Sequence, residues 1–139
     1  MIIQLQEAIN TEVNSPKPLY ALLKQFLNTL DSVDADKEHF IAIHLNARNK
    51  IQIMEVVSVG TLNASLVHPR EVFTRAIAIR SAQLILAHNH PSGNFDPSDA
   101  DIAITKRLVE AGTLLGIEVI DHMVFTKDGY CSFKEKGMI

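Results

Sequence analysis

Hydrophobic residues recur at helical and strand spacing along most of the chain. Leucine and phenylalanine repeat at three- and four-residue intervals after Ser15-Pro16-Lys17-Pro18, which predicts a first helix. Its apolar face is formed by Leu19, Leu22, Leu23, Phe26, Leu27 and Leu30. A polar, acidic connection is predicted at 31–37. Residues 38–45 and 51–59 are apolar and flank a polar turn, so they predict a β-hairpin.

The second half of the chain alternates predicted helices and strands. The pattern at residues 60–67 does not clearly predict one type of element, although it is compatible with a third strand. Pro69 stands where proline favours the start of a helix, and this helix is predicted to continue to about Arg80. The remaining predicted elements are a buried strand at 82–87, a helix opened by Asp96-Pro97-Ser98 that ends near Gly116, and strands at 117–125 and 130–133. This order predicts an α/β fold in which helices flank a mixed sheet.

Length and composition fit one globular domain. The chain has 139 residues, of which 47% are hydrophobic and 21% charged. We expect one domain over 1–139, with residues 1–15 either included in it or forming an N-terminal extension. A net charge of −3 argues against sequence-independent nucleic-acid binding, which needs an excess of basic residues. The sequence still allows a local basic patch formed by Arg70, Arg75 and Arg80.

The chain carries no sign of export or membrane insertion. Its single cysteine, Cys131, excludes an internal disulfide and a cysteine-based zinc site. The N-terminus lacks the basic and apolar segments of a secretory signal. No apolar run reaches the roughly 20 residues that span a bilayer. We therefore expect a cytoplasmic protein without a membrane partner.

Four polar residues form the most specific pattern in the chain, H-x-H-x7-S-x2-D. They are His88, His90, Ser98 and Asp101. The histidines follow the buried strand, and side chains two apart on a strand point to the same face. Ser98 and Asp101 have the spacing of a helix capping box, which alone would explain them. Asp101 also lies on the inward face of the helix, three residues before Ile104, where a carboxylate needs a partner such as a metal ion.

These residue types suit a catalytic zinc site. Neutral imidazole and carboxylate are typical ligands of catalytic zinc, and three protein ligands leave a fourth position for water. Hydrolysis would also need a general base. Glu38 begins a strand that enters the core, which favours it, but Glu55 and Glu71 compete and the residues alone do not decide. His122 alternates with apolar residues on a strand, which predicts a histidine in the core or behind a ligand.

Taken together, these residues resemble a known motif. Glu38, His88-Asn89-His90-Pro91-Ser92-Gly93, Ser98 and Asp101 are similar to the JAMM motif of MPN/JAB-type metalloproteases. The flanks resemble the bacterial RadC family more specifically, and the resemblance covers roughly residues 16–137. The matching segments are Gly60-Thr61-Leu62-Asn63, His68-Pro69-Arg70-Glu71, Leu108-Val109-Glu110-Ala111-Gly112, Leu115-Gly116-Ile117-Glu118 and Asp121-His122. The resemblance implies a three-layer α/β/α sandwich with a mixed β-sheet, of the cytidine-deaminase-like kind.

The resemblance also implies roles for individual residues. His88, His90 and Asp101 match the family's zinc ligands. Glu38 matches the glutamate that acts as general acid and base, and Ser98 matches the serine that stabilises the oxyanion. The implied function is Zn²⁺-dependent hydrolysis of peptide or isopeptide bonds, with a peptide or protein as substrate.

Other functions stay open beside this one. Full-length RadC proteins carry a helix-hairpin-helix-like segment ahead of this domain, and none is expected in this chain. The alternative function is a module associated with nucleic acid or DNA repair that keeps the fold without catalysis. A metal-dependent nuclease is less favoured, because no carboxylates for a second metal stand out. The sequence identifies neither the substrate nor the oligomeric state, and a dimer stays open.

Overall fold

The structure is a computed structural model that describes residues 1–61 and 67–139, so most of the strand suggested at 60–67 lies outside the described residues. The described elements are α1 (Pro16–Thr29), α2 (Ser32–Ala35), β1 (His39–Leu45), β2 (Ile51–Val59), α3 (Pro69–Ala78), β3 (Gln83–Asn89), α4 (Asp99–Leu115), β4 (Glu118–Phe125) and β5 (Tyr130–Ser132). None of these helices has the length and hydropathy that a membrane span requires.

The strands form one mixed sheet in the order β2-β1-β3-β4-β5. β1 pairs antiparallel with β2 and with β3, β3 pairs parallel with β4, and β4 pairs antiparallel with β5. α4 provides the crossover that two adjacent parallel strands require. The predicted α/β fold with a mixed sheet is confirmed, and β3 lies at the centre of the sheet.

Successive residues of the strands face opposite sides of the sheet, and helices cover both sides. On one side, Ile41, Ile43 and Ile85 belong to a core that includes the buried residues of α1. On the other side, Leu84 and Leu86 pack with buried residues of α3 and α4. This gives three layers, α1 on one face and α3 with α4 on the other.

The boundaries of the elements follow the sequence prediction closely, with two differences, at 31–37 and at the end of β3. The acidic connection at 31–37 contains the short helix α2, because the Asp31 carboxylate accepts a hydrogen bond of 2.8 Å from the backbone N–H of Asp34. β3 continues two residues beyond the predicted 82–87 and ends at Asn89. This continuation keeps His88 in strand geometry.

The N-terminal residues run along the outer edge of β2. Ile2 forms a bridge with Glu55, and Glu12 forms one with Lys50. The backbone N–H of Ile3 donates to the carbonyl of Met54 at 2.8 Å. An uncovered edge strand would present unpaired backbone groups to other chains, so this segment shields the end of the sheet.

Gly112 permits a close approach between the C-terminal part of α4 and the chain leading into β4. A Cβ atom at position 112 would lie 2.4 Å from the carbonyl oxygen of Ile117 and 3.2 Å from Cγ2 of Val119. The backbone N–H of Ile117 donates to the carbonyl of Gly112 at 2.9 Å. This contact fixes one end of α4 against the sheet while the other end reaches the end of β3.

We predict that Gly112→Ala lowers the free energy of unfolding by about 1–3 kcal/mol, the usual cost of overpacking. The added methyl group would meet a backbone carbonyl that cannot move without displacing β4. Urea denaturation followed by circular dichroism measures the change. Leu114→Ala, at a position that is 88% exposed on the same helix, is the control and should change stability by less than about 0.5 kcal/mol. Equal stability of Gly112→Ala and the wild type would contradict the prediction.

Candidate metal centre

His88 and His90 meet at the C-terminal end of β3. Their Nε2 atoms lie 2.9 Å apart. His88 is fully buried and His90 is half-buried. The neighbouring strands pair with His88 on both sides, Phe40 of β1 on one and Val124 of β4 on the other. The centre of the sheet therefore holds this imidazole in place.

Asp101 reaches the same point from the first turn of α4. Oγ of Ser98 accepts a hydrogen bond of 3.1 Å from the Asp101 N–H, and Oδ2 of Asp101 accepts one of 2.8 Å from the Ser98 N–H. The predicted capping box is thus confirmed. Asp101 is also buried, with Oδ1 at 3.0 Å from Nε2 of His88 and Oδ2 at 3.1 Å from Nε2 of His90. One carboxylate caps the helix and contacts both histidines.

The electrostatics of the cluster favour an ionised Asp101. Burial raises the pKa of its carboxyl group, but the contacts with the Nε2 atoms of His88 and His90, which can carry a proton when the carboxyl group is ionised, outweigh burial and hold that pKa well below its usual range. The hydrogen bond to Asp101 raises the pKa of His90, against an opposing effect of burial. The buried negative charge therefore attracts a cation to the histidine pair, either a proton or a metal ion.

A chain of hydrogen bonds behind His88 determines which of its nitrogens carries the proton. Oγ1 of Thr105 donates to the backbone carbonyl of Asp101 at 2.6 Å, so it accepts in its contact with Nδ1 of His122. His122 is then protonated on Nδ1, and its Nε2 accepts from Nδ1 of His88 at 2.9 Å. Burial lowers the pKa of His122 well below its ordinary value, which keeps this ring neutral. Nε2 of His88 is left with a lone pair directed at the centre.

His90 is held in the same tautomer as His88, with the proton on Nδ1. Its Nδ1 donates to the backbone carbonyl of Asn94 at 2.8 Å, which leaves the lone pair of the neutral ring on Nε2. Two such nitrogens beside an ionised carboxylate repel one another unless a cation lies among them. Ligand atoms of a tetrahedral zinc site are about 3.3 Å apart. The observed separations of 2.9–3.1 Å would need to widen only slightly, so the donor set fits a divalent cation.

Glu38 brings a second carboxylate to the histidine pair. It directly precedes β1, and one of its oxygens lies within 4.8 Å of a ring nitrogen of His88 and of His90. These three residues form a group that could hold a metal ion. The competing glutamates predicted from the sequence have other partners, since Glu55 accepts from Nε of Arg75 at 2.7 Å and Glu71 lies 3.6 Å from Nε of Arg70.

Ser98 lies at the exposed rim of the cluster, next to Asp101. Its oxygen accepts the capping hydrogen bond, so its own hydroxyl proton is available to donate to another acceptor. The structure thus brings together all five residues predicted from the sequence, with Ser98 joined through Asp101.

A family model for the RadC-like JAB domain matches residues 13–138. The chain belongs to this family. The match confirms the resemblance to RadC proteins and covers the candidate metal centre with the elements that carry it.

Several curated relatives of this RadC-like JAB domain are UPF0758 proteins. One from Desulforamulus reducens is 50% identical over 109 residues, which cover 78% of this chain and 48% of the relative. One from Caldanaerobacter subterraneus is 48% identical over 128 residues, 92% of this chain and 53% of the relative. One from Alkaliphilus metalliredigens is 47% identical over 138 residues, 99% and 57% respectively. The chain spans about half the length of the curated relatives it matches.

Two residues that support this cluster were not found by the sequence reasoning. Thr105 follows Asp101 by four residues on the inward face of α4, and this spacing could have indicated it. Asn94 contributes only its backbone carbonyl, which no side-chain pattern reveals. The expectation for His122 is confirmed, because it is buried and contacts the ring of His88.

We predict that Thr105→Val weakens metal binding by about 10- to 100-fold, as is usual when a residue that orients a ligand is lost. Without the hydroxyl group, His122 loses the acceptor that fixes its tautomer, and the orientation of the His88 proton is lost with it. Competition with a chromogenic chelator measures the affinity. Thr113→Val, at an exposed position of the same helix, is the matched control. An unchanged affinity in Thr105→Val would refute the role of the hydrogen-bond chain.

We also predict that metal affinity rises with pH. Below the raised pKa of His90, a metal ion must displace the proton from this ring, so the binding constant increases about tenfold per pH unit. Above that pKa the proton is already absent and the dependence becomes flat. Affinities measured with a chelator between about pH 5.5 and 8.5 test this, and proton release in calorimetry gives a second readout. An affinity independent of pH over this range would argue against His90 as a ligand.

Proposed function

We propose that the chain is a zinc-dependent hydrolase of peptide or isopeptide bonds, with His88, His90 and Asp101 as metal ligands. The observation that carries the proposal is the convergence of two imidazole lone pairs and one ionised carboxylate within 3.1 Å. Membership of the RadC-like JAB domain family supports the proposal. The motif of this chain resembles that of JAB-type metalloproteases, as described above. We extend the same proposed activity to the longer relatives that contain this domain.

The donor set favours zinc over harder cations. Nitrogen ligands suit Zn²⁺, whereas Mg²⁺ and Ca²⁺ prefer a shell of oxygens. Three protein ligands would leave one position open to solvent or substrate. A zinc ion bound there would polarise a scissile carbonyl and lower the pKa of a water molecule.

Glu38 is the general base in this proposal. Its carboxylate stands within 4.8 Å of the ring nitrogens of both histidines, close enough to accept a proton from the attacking water. As the bond between the water oxygen and the carbonyl carbon forms, Glu38 takes the proton. It then delivers that proton to the leaving amine as the carbon–nitrogen bond breaks. One residue therefore acts first as base and then as acid.

Ser98 is the donor to the oxyanion in this proposal. Its hydroxyl oxygen is fixed by the capping bond from the Asp101 N–H, which leaves the O–H free to rotate toward a developing negative charge. A cavity of about 310 Å³ is lined by His90 together with Asn89, Leu27 and Lys127, whereas His88, Ser98 and Asp101 do not line it.

The alternative of a nucleic-acid-associated module has less support from the described residues. Nε of Arg75 donates to Glu55 at 2.7 Å, and Nε of Arg70 lies 3.6 Å from Glu71. These contacts offset much of the positive charge that a phosphate backbone would need. The DNA-associated function and the cytoplasmic location stay predictions, and the oligomeric state is undetermined.

We predict that the purified protein carries about one zinc per chain, and that His88→Ala and Asp101→Asn abolish this metal content. Glu38→Gln should retain zinc but lose hydrolysis by about 10²- to 10⁴-fold, the usual contribution of a general base. Metal content is measured by inductively coupled plasma mass spectrometry. Hydrolysis is measured on a mixture of internally quenched peptides and on a lysine-linked isopeptide.

The control is Glu118→Gln, which removes an exposed carboxylate at the start of β4 and should change neither property. Metal content that persists in both ligand variants would refute the ligand assignment. Loss of zinc in Glu38→Gln would instead make Glu38 a ligand. Full hydrolysis by the Glu38→Gln protein would refute its role as general base.

A further inference from the structure

Asn89, the residue between the two histidines, is joined to both peptide groups that flank Glu38. Its Oδ1 accepts a hydrogen bond of 2.6 Å from the backbone N–H of His39. Its Nδ2 donates one of 3.0 Å to the backbone carbonyl of Lys37. The Asn89 side chain is almost fully buried. We call this pair of contacts the Asn89 bridge.

The Asn89 bridge extends the connection between β1 and β3 by one residue, through a side chain instead of backbone pairing. The last backbone pair between the two strands joins Phe40 to His88. The next residues, His39 and Asn89, are connected through the asparagine side chain instead. Because Asn89 ends β3 between His88 and His90, the bridge ties the backbone at Glu38 to the segment that carries both imidazoles.

Further hydrogen bonds hold the same segment. Nδ1 of His39 donates to the carbonyl of Lys37 at 3.0 Å, and the carbonyl of Glu38 accepts from the N–H of Gly60 at 2.9 Å. The backbone on either side of Glu38 is therefore fixed, and its carboxylate starts from a defined position. The bridge contributes the contacts that originate on β3.

The chemistry of the bridge requires a primary amide of this length. One backbone donor and one backbone acceptor, two residues apart, must both be satisfied by a single side chain. A carboxylate of the same shape would offer two acceptors and would repel the Lys37 carbonyl. Alanine would leave a buried N–H without its partner, which is costly.

We infer that Asn89 is a positioning residue for the proposed base, and that it sets the distance of the Glu38 carboxylate from the metal centre. The inference rests on the proposed function of Glu38. Asn89 does not act on the substrate, so its effect must pass through Glu38. Substitutions of the two residues should therefore not be additive.

The test uses the whole chain loaded with Co²⁺ in place of zinc, and compares Asn89→Ala, Asn89→Asp, Glu38→Gln and the Asn89→Ala/Glu38→Gln double variant. The visible absorption of Co²⁺ reports the surroundings of the metal without any substrate. Peptide hydrolysis by the zinc-loaded proteins gives kcat and KM. Asn28→Ala and Asn28→Asp, at an exposed position of α1, are the matched controls.

All variants should bind one metal ion. Asn89→Ala and Asn89→Asp should shift the Co²⁺ spectrum in the same direction as Glu38→Gln. Their kcat should fall at least tenfold but not below that of Glu38→Gln, whose expected loss is about 10²- to 10⁴-fold, while KM changes little. The double variant should match Glu38→Gln in spectrum and rate, and the Asn28 variants should match the wild type.

Two results would overturn the inference alone. One is a wild-type spectrum and rate in both Asn89 variants while Glu38→Gln is altered. The other is a further loss in the double variant, which would show that Asn89 supports the fold generally. If Asn89→Ala does not fold, Asn89→Asp, which keeps the shape and one of the two contacts, decides the outcome. A Glu38→Gln protein identical to the wild type would refute the proposed base and this inference together.

Discussion

Two imidazole nitrogens held 2.9 Å apart beside a buried, ionised carboxylate impose the constraint on which the rest of the structure depends. A buried charge is tolerated only when it is paired and hydrogen-bonded. The backbone N–H of Ser98 donates to the carboxylate. His122 and the carbonyl of Asn94 orient the two imidazole rings so that their Nε2 atoms face it. The cluster is therefore arranged for a cation before any ion enters.

The fold meets this constraint with three segments that are far apart in the chain. The central strand β3 supplies His88 and the residue after its end is His90, the first turn of α4 supplies Asp101, and the residue before β1 is Glu38. α4 is pressed against β4 by the contact at Gly112, so its N-terminus has little freedom to withdraw. Each of these residues lies in or directly beside a packed helix or strand, so the packing of that element determines its position.

The sequence predicts the features that depend on neighbouring residues in the chain. It does not predict the contacts that depend on which strands pair with one another. The helix from Ser98 onward is clear because a cap and an apolar period are local signals, and they also place Asp101 on the inward face. Glu38 could be chosen over Glu55 only by family resemblance, because its approach to the histidines depends on the pairing of β1 with β3. The same is true of Asn89, whose partner His39 is 50 residues away in the chain. α2 escaped prediction because four residues are too few to show a period.

The capping box of α4 links the start of a helix to the occupancy of the centre. Oδ2 of Asp101 accepts the hydrogen bond of the Ser98 N–H and also faces Nε2 of His90. Any ligand that binds the folded state more tightly than the unfolded state adds its binding free energy to stability. Because one oxygen atom serves both the helix and the cation, part of that free energy would be stored in the first turn of α4. For a chain that binds a cation at this point, removal of the cation would therefore destabilise the first turn of α4 as well as the cluster itself.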